Sequence, residues 1–185
     1  MTTALHPTGD LEQAHTTTGA AAAITRFASV LLAGLFAGFL LAALVLETSL
    51  RNFDASVYTQ VRKVELAGLN DLATALLPPA IIATAIILVV AMRRRDRNRW
   101  LTLTAFVLLI AVFAISLLVN VPINTEQLTW SVQAPPANWA SVRDHWQLAH
   151  LVRTVAAVLS FGLLIAGRPQ AASNSAAAPA ASTTQ

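Results

Sequence analysis

The chain has 185 residues, of which 56% are hydrophobic and 11% are charged, and its formal net charge is +3. Soluble domains carry about 25% charged residues, so this composition is typical of a protein that lies in a lipid bilayer. The chain contains no cysteine, which excludes disulfides, iron–sulfur clusters and thiolate metal sites. Five of the twelve basic residues lie within Arg93–Arg99. A cluster between two apolar segments indicates membrane topology, and we expect no nucleic-acid partner.

The two ends of the chain differ from its apolar middle. Residues 1–25 are rich in Thr, Ala and His and lack a basic segment. The apolar run that follows is about 20 residues long, which exceeds the core of a signal peptide and predicts a retained first span. We predict that residues 1–25 and the Ala-, Ser- and Pro-rich residues 168–185 are disordered cytoplasmic segments.

Four apolar segments are long enough to cross the roughly 30 Å hydrocarbon core of a bilayer. Each should be helical, because a non-helical chain in lipid would leave its backbone groups unpaired. The predicted fold class is all-α: a four-transmembrane-helix antiparallel bundle over residues 26–167, with extracytoplasmic loop helices. The predicted spans are residues 28–47, 72–92, 100–120 and 146–167.

Basic residues near the span ends predict the orientation. Arg26, the Arg93–Arg99 cluster and Arg168 fall on one side of a four-span topology, which the positive-inside rule assigns to the cytoplasm. We therefore expect a multi-pass protein of a bacterial inner (plasma) membrane with cytoplasmic N- and C-termini. The long connections, residues 48–71 and 121–145, lie on the other side. Long loops in small proteins often carry function, so we expect the working face there.

Small residues recur in the first span at Gly34, Gly38 and Ala42. This spacing of four either lets another helix approach closely or reflects only how common Gly and Ala are in such a span. The partner helix belongs either to the same chain or to a second copy, so a homo-oligomer through Gly34 and Gly38 is one alternative.

Two prolines, Pro78 and Pro79, lie inside the second span. Each removes an amide donor, which predicts a kink or a break in the helix. The freed carbonyl groups either line a cavity or belong to a kink without a function.

The third span ends in the segment Asn120–Asn124, where Pro122 predicts the end of the helix. Asn120 is one turn from Ser116 and is a candidate site residue. Asn124 has two interpretations, a contact to substrate or a cap of the next helix, and the capping role is favoured.

Polar and aromatic side chains share one face of the fourth span. An arginine in this span, Arg153, lies roughly 10 Å below the expected interfacial anchor Trp146, and a charge at that depth is a functional candidate. The alternatives are a side chain that reaches outward and an ion pair with Glu47 or Asp71. The residues on the shared face are Arg143, Trp146, His150 and Arg153.

His150 and the nearby tryptophans each have two interpretations. One turn from Arg153, His150 is either a neutral ring that accepts a proton or a packing histidine held by hydrogen bonds. Trp130, Trp139 and Trp146 either form a membrane-interface belt or wall a pocket for a flat aromatic ligand.

A set of residues in the second half of the chain resembles the anthrone-oxygenase-like family of small four-helix membrane proteins. The similarity rests on Asn120-Val-Pro-Ile-Asn124, Trp139, Arg143, Trp146, His150 and Arg153-Thr154. Family members with an assigned activity oxidise anthrones to anthraquinones with dioxygen and no cofactor, and many others have no assigned substrate.

The resemblance implies oxidation of a flat lipophilic ketone or phenol near the outer membrane face, without cofactor or metal. On this hypothesis His150 removes a carbon-bound proton, and Arg153 and Asn120 stabilise the enolate and peroxide charges, with help from Arg143. The candidate catalytic residues are His150, Arg153 and Asn120. The candidate substrate-binding residues are Arg143, Trp146, Trp139 and Asn124.

Two other functions fit the same sequence. One is a non-catalytic binding or transport module for a lipophilic small molecule, and the other is an accessory subunit of a membrane complex. The expected partners are therefore the lipid bilayer and a lipophilic small molecule.

Overall fold

The structure is a computed structural model that describes the backbone of residues 8–167 and side chains from residue 20 onward. Over this range the chain is helical and contains no strand, which confirms the predicted fold class. The helices are α1 (Thr8–Ser49), α2 (Ala55–Arg93), α3 (Arg99–Ile115), α4 (Val121–Leu128) and α5 (Trp139–Ala166).

Four helical stretches are long and apolar enough to cross a membrane. They are Ala20–Asn52, Ala55–Arg93, Arg99–Leu128 and Trp139–Ala166. All four predicted spans therefore correspond to helices, and the chain has the architecture of a multi-pass membrane protein. The helices are longer than the predicted spans, so several of their turns extend beyond the apolar segments.

The start of α1 differs from the predicted disorder of residues 1–25. The helix begins at Thr8, and the alanine-rich residues 20–23 favour a helix that continues into the span. The remaining predicted disorder, residues 1–7 and 168–185, lies outside the described residues.

The four long helices form a ring in which each packs against two neighbours. Helix α1 packs against α2 and α5, and α3 packs against α2 and α5. Because consecutive spans alternate in direction, all neighbours are antiparallel. A buried apolar cluster occupies the centre of this ring; it contains Phe36, Ala37, Leu40, Leu77, Leu109, Val112, Ala156 and Ala157.

The first span touches α5 through Gly34. A Cβ atom at Gly34 would lie 2.8 Å from Cε2 of Phe161, whereas a Cβ at Gly38 would meet nothing within 4 Å. Gly34 is therefore used for packing inside the chain. An oligomer through the open Gly38 position stays a prediction.

Proline acts differently in the two helices that contain it. Helix α2 continues through Pro78 and Pro79. The predicted helix end at Pro122 is wrong, because a π-helical turn, Ser116–Asn120, joins α3 to α4 without a break. Pro122 lies at the start of α4, where a π turn shifts the hydrogen-bond register and accommodates the missing amide.

The two ends of the bundle have different chemistry. At one end, Nη1 of Arg26 donates to the carbonyl oxygen of Gly167 at 2.7 Å, beside the arginine-rich α2–α3 connection. At the other end, the apolar cluster of Leu50, Tyr58 and Trp130 covers the helices. The predicted loop helices correspond there to a short turn, Leu50–Asn52, to the first turns of α2 and to α4.

Candidate functional site

A cavity of about 220 Å³ lies in the half of the bundle that carries Trp146, and all four spans contribute to its wall. Its apolar wall includes Phe36, Phe39, Leu77 and Phe113, and its polar wall includes Arg62, Glu65, Asn120, Asn124, His150 and Arg153. Pockets with mostly apolar walls and a few convergent polar groups are typical of sites for small organic molecules.

The cavity extends between α2 and the α3–α4 helix. Thr74, Leu117 and Val121 line it there, and all three are exposed on the bundle surface. Pro78 also lines the cavity, and its missing amide frees the carbonyl group of Thr74, four residues earlier. The gap faces the outside of the helix ring, where lipid would lie.

His150 is buried and both of its ring nitrogens are occupied. Nε2 lies 3.0 Å from the carbonyl oxygen of Leu40. Nε and Nη2 of Arg153 lie 3.0 and 2.8 Å from Nδ1. A guanidinium has no acceptor, so Nδ1 must accept and Nε2 must carry the proton that it donates to Leu40. This arrangement requires a neutral ring with no free lone pair.

Arg153 points into the bundle. Besides His150, it donates through Nη1 to Oγ of Ser116 at 3.1 Å. It forms no ion pair within the described part of the chain, so neither Glu47 nor Asp71 is its partner. A guanidinium without a carboxylate partner, in a partly buried place, is suited to stabilise an anion that binds or forms beside it.

Asn120 is placed by the π turn. Its Nδ2 donates to the backbone carbonyl of Trp146 at 3.3 Å, and its Oδ1 has no hydrogen-bond partner among the residues that the structure describes. The side chain is 1% exposed. The widened turn therefore directs a half-satisfied amide towards α5, in the wall of the cavity.

Asn124 does not cap a helix, so the favoured interpretation is wrong. Its Oδ1 accepts hydrogen bonds from Nη2 of Arg62 at 2.9 Å and from Nε1 of Trp146 at 2.7 Å. The continuous helix leaves no helix start for Asn124 to cap. Its amide instead connects α2 to α5.

Trp146 has cationic and aromatic neighbours. Its ring stacks on His150 with centroids 4.7 Å apart and an interplanar angle of 14°. The guanidinium carbons of Arg62 and Arg153 lie 4.2 and 5.6 Å from the ring centroid. Trp146 thus holds the two arginines and the histidine in one polar group beside the cavity.

Two predicted substrate-binding residues, Arg143 and Trp139, are not among the cavity-lining residues. The Arg143 guanidinium lies 4.8 Å from the Trp139 ring centroid and 3.0 Å from Asp144. Trp139 packs against Tyr58 with ring centroids 5.6 Å apart. Trp130 belongs to the apolar cluster that contains Tyr58 and against which Trp139 packs. Of Trp130, Trp139 and Trp146, only Trp146 therefore borders the cavity.

A buried charged group around Arg62 was not expected from the sequence. Nη1 of Arg62 lies 2.9 Å from Oε1 of Glu47 and 2.6 Å from Oε2 of Glu65, and Nε donates to Oε1 of Gln127 at 3.0 Å. Glu47, Arg62 and Glu65 are all buried. One part of this group could have been predicted. Arg62 and Glu65 are three residues apart on a helix that continues into the second span, and residues at this spacing are neighbours that can form an ion pair.

A polar chain connects this group to the protein surface. Nε2 of Gln147 donates to Oε2 of Glu47 at 3.1 Å, and Oε1 of Gln147 accepts from Nε of Arg51 at 2.7 Å. Arg51 also pairs with the half-exposed Asp144 at 2.9 Å. These bonds fasten α1 to α5 at this end of the bundle.

Comparison with known proteins gives one finding. The family model described as anthrone oxygenase matches residues 67–163, which is just over half of the chain. No curated protein and no solved structure matches the chain. The matched segment contains Asn120, Asn124, Trp146, His150 and Arg153 and ends before the last turn of α5. In agreement with the resemblance found in its sequence, the chain belongs to the anthrone oxygenase family.

Proposed function

We propose that this protein is a cofactor-free oxygenase that uses dioxygen to oxidise a flat lipophilic ketone or phenol inside the cavity. The observation that carries the proposal is the Arg153 guanidinium. It lines an apolar cavity, yet within the described part of the chain its hydrogen bonds go to the neutral groups His150 and Ser116. Such a cation stabilises negative charge that develops on a bound substrate more strongly than water would.

The shape of the cavity supports a lipophilic substrate. Its phenylalanine and leucine walls suit flat apolar molecules, and its exposed border between α2 and the α3–α4 helix faces the side of the bundle. A substrate dissolved in the bilayer would enter through this border without crossing the end of the bundle that Leu50, Tyr58 and Trp130 cover.

The reaction requires a substrate carbon that bears hydrogen and lies next to an aromatic ring or a carbonyl group. Loss of a proton from this carbon gives an enolate, whose oxygen Arg153 and Asn120 Nδ2 stabilise. The enolate passes one electron to dioxygen, and the carbon radical and superoxide combine to a peroxide. Loss of water from the peroxide leaves a carbonyl group at that carbon. Dioxygen is the only oxidant in this scheme.

His150 has a different role in this scheme from the predicted one. For His150 to act as the base, Arg153 would have to leave Nδ1, and a protonated ring would then face a guanidinium. We therefore assign His150 as a positioning residue that holds Arg153 against the cavity through Nδ1 while Leu40 fixes the ring.

The proposed location is a bacterial inner membrane, with the cavity in the half of the bundle away from the cytoplasm. The support is the distribution of arginines, since Arg26 and the Arg93–Arg99 cluster lie at the end of the bundle opposite to Trp146.

Dioxygen uptake tests the proposed function. The purified protein in lipid nanodiscs receives anthrone as the probe, and uptake is compared with the appearance of anthraquinone. We expect equal amounts of both, no product under nitrogen, and a loss of about 100-fold or more in Arg153→Gln. Arg97→Gln, an exposed arginine at the other end of the bundle, should match wild type. Saturable anthrone binding without uptake would instead support a binding or transport module.

A further inference from the structure

The cavity wall carries one carboxyl group, that of Glu65, which the scheme above leaves without a role. The side chain is 7% exposed, and Oε2 lies 2.6 Å from Nη1 of Arg62. No described residue donates a hydrogen bond to the other oxygen, Oε1, which is itself buried. Buried carboxylate oxygens normally accept hydrogen bonds, because burial removes the water that would otherwise bind them. A carboxyl group with an unsatisfied oxygen, in a residue that lines a cavity, is therefore suited to take a proton from a bound ligand.

A second unsatisfied acceptor, Oδ1 of Asn120, belongs to the same cavity wall. Glu65 reaches the cavity from α2, Asn120 from the π turn and Arg153 from α5. A ligand that fits this wall offers an acidic hydrogen to Glu65 and an electron-rich oxygen to Arg153 and to Nδ2 of Asn120. An acidic ketone or a phenol combines these properties.

Other groups are less suited to take a proton from such a ligand. Both ring nitrogens of His150 are occupied. Glu47 is fully buried and does not line the cavity. Its Oε2 accepts from Gln147. Its Oε1 also lacks a hydrogen bond from the described residues, but it lies 2.9 Å from Nη1 of Arg62 and away from the cavity. Glu65 is therefore the carboxyl group that combines a place in the cavity wall with an unoccupied oxygen.

Arg62 is equipped to hold this carboxyl group in place. Its guanidinium is fixed by Glu47, Gln127 and Asn124 and lies over Trp146. A carboxylate whose Oε2 is held by a fixed arginine keeps its Oε1 in one direction. This geometry is typical of a positioned general base.

We propose that Glu65 is the catalytic base, which removes the carbon-bound proton of the substrate through Oε1. The assignment rests on the proposed function, since it supplies the proton transfers of that reaction. In the first step Oε1 takes a proton from the substrate CH₂ group and leaves the enolate. After one electron has passed to dioxygen and the carbon–oxygen bond has formed, the peroxide anion takes this proton back and becomes a hydroperoxide.

The same carboxylate completes the reaction. It removes the second proton from the oxidised carbon, the carbonyl bond forms and the oxygen–oxygen bond breaks. The departing hydroxide takes the proton from Glu65 and leaves as water. The sum is CH₂ plus O₂ to C=O plus H₂O, and Glu65 ends as the carboxylate with which it began.

Deuterium exchange separates proton removal from oxidation. Without dioxygen, wild type in D₂O should exchange the acidic CH₂ hydrogens of anthrone faster than buffer does, and with dioxygen it should form anthraquinone. In Glu65→Gln both activities should fall by about 100-fold or more, the range expected for loss of a general base. Anthrone should still bind to this variant and quench its tryptophan fluorescence. Glu126→Gln, an exposed carboxyl group on α4, should behave as wild type.

A second variant guards against a folding defect. Glu65→Asp keeps a carboxyl group beside Arg62 and should exchange at least tenfold faster than Glu65→Gln. Thermal unfolding of both variants is measured in parallel. The base assignment would be overturned if Glu65→Gln exchanged the anthrone hydrogens as fast as wild type does. It would also be overturned if Glu65→Gln and Glu65→Asp, at equal stability, exchanged them at equal rates. Either result would leave the proposed oxygenase function in place. Absence of exchange and of dioxygen uptake in wild type would overturn both proposals.

Discussion

Arg153 donates to Nδ1 of His150 through both Nε and Nη2, at 3.0 and 2.8 Å. The imidazole is held on its other side by the carbonyl oxygen of Leu40. One turn of α5 thus contains a cation and the acceptor that orients it. A further hydrogen bond, from Arg153 to Ser116, also holds the guanidinium in place. A guanidinium held in this way needs little rearrangement when charge forms beside it, which favours stabilisation of an enolate or a peroxide.

The positioning role of His150 predicts rescue by an amide. His150→Ala removes the acceptor for Arg153, and we expect anthrone-dependent dioxygen uptake to fall by about 100-fold, as for loss of a well-placed charge stabiliser. His150→Gln offers one oxygen to Arg153 and one amide hydrogen to Leu40, and it should retain activity within about tenfold of wild type. Steady-state uptake measures both, with the loss mainly in kcat. If Gln were as inactive as Ala in a folded protein, His150 would have a role that needs the imidazole itself.

The buried ion pairs of Arg62 predict that replacing this arginine lowers stability strongly, and that further substitutions at its partners restore it. Arg62→Met leaves Glu47 and Glu65 buried without their cation, and we expect the free energy of unfolding to fall by about 3–5 kcal/mol. Adding Glu47→Gln and Glu65→Gln to this variant removes the unpaired charges and should recover most of the loss. Unfolding in mixed micelles followed by tryptophan fluorescence gives these values. A triple variant no more stable than Arg62→Met alone would mean that packing, not charge, dominates here.

Helix number and the contact between His150 and Arg153 follow from local features. Apolar lengths identify the spans, and residues three apart on a helix are neighbours. The π turn could not be predicted, because Pro122 locally favours a helix end. The continuous helix is favoured only when Asn120 and Asn124 find partners on other helices. The partners of Arg62 could not be predicted for a similar reason. From the sequence alone, a basic residue near the end of a span is interpreted as a signal of membrane orientation, and the side chains that face it on other helices are not known.

The close approach at Gly34 predicts opposite effects at two glycines of α1. A methyl group at Gly34 would lie 2.8 Å from the Phe161 ring, so Gly34→Ala should lower the free energy of unfolding by about 1–2 kcal/mol. Gly38 has open space, and Gly38→Ala should raise it by up to about 1 kcal/mol through helix propensity. Thermal unfolding of the two variants measures the difference.

A compensating change tests the cause of the loss at Gly34. Phe161→Leu shortens the side chain that the new methyl group meets, so the double variant should be more stable than the sum of the single changes predicts. If Gly38→Ala were destabilising and shifted the protein to a smaller species in size-exclusion chromatography, that face would be an interface between copies of the chain.

The orientation of the bundle is testable with single cysteines, because the natural chain has none. Gln133→Cys places an exposed thiol in the α4–α5 connection, and Arg97→Cys places one in the α2–α3 connection. In intact bacterial cells from which the outer membrane has been removed, a membrane-impermeant maleimide should label only Gln133→Cys. After lysis both should react. This result is expected because the five arginines of the Arg93–Arg99 segment, in and beside the short connection, oppose its transfer across the membrane. Labelling of Arg97→Cys alone in intact cells would place the cavity half of the bundle towards the cytoplasm, where substrate would have to reach the α2–α3 gap from the inner leaflet.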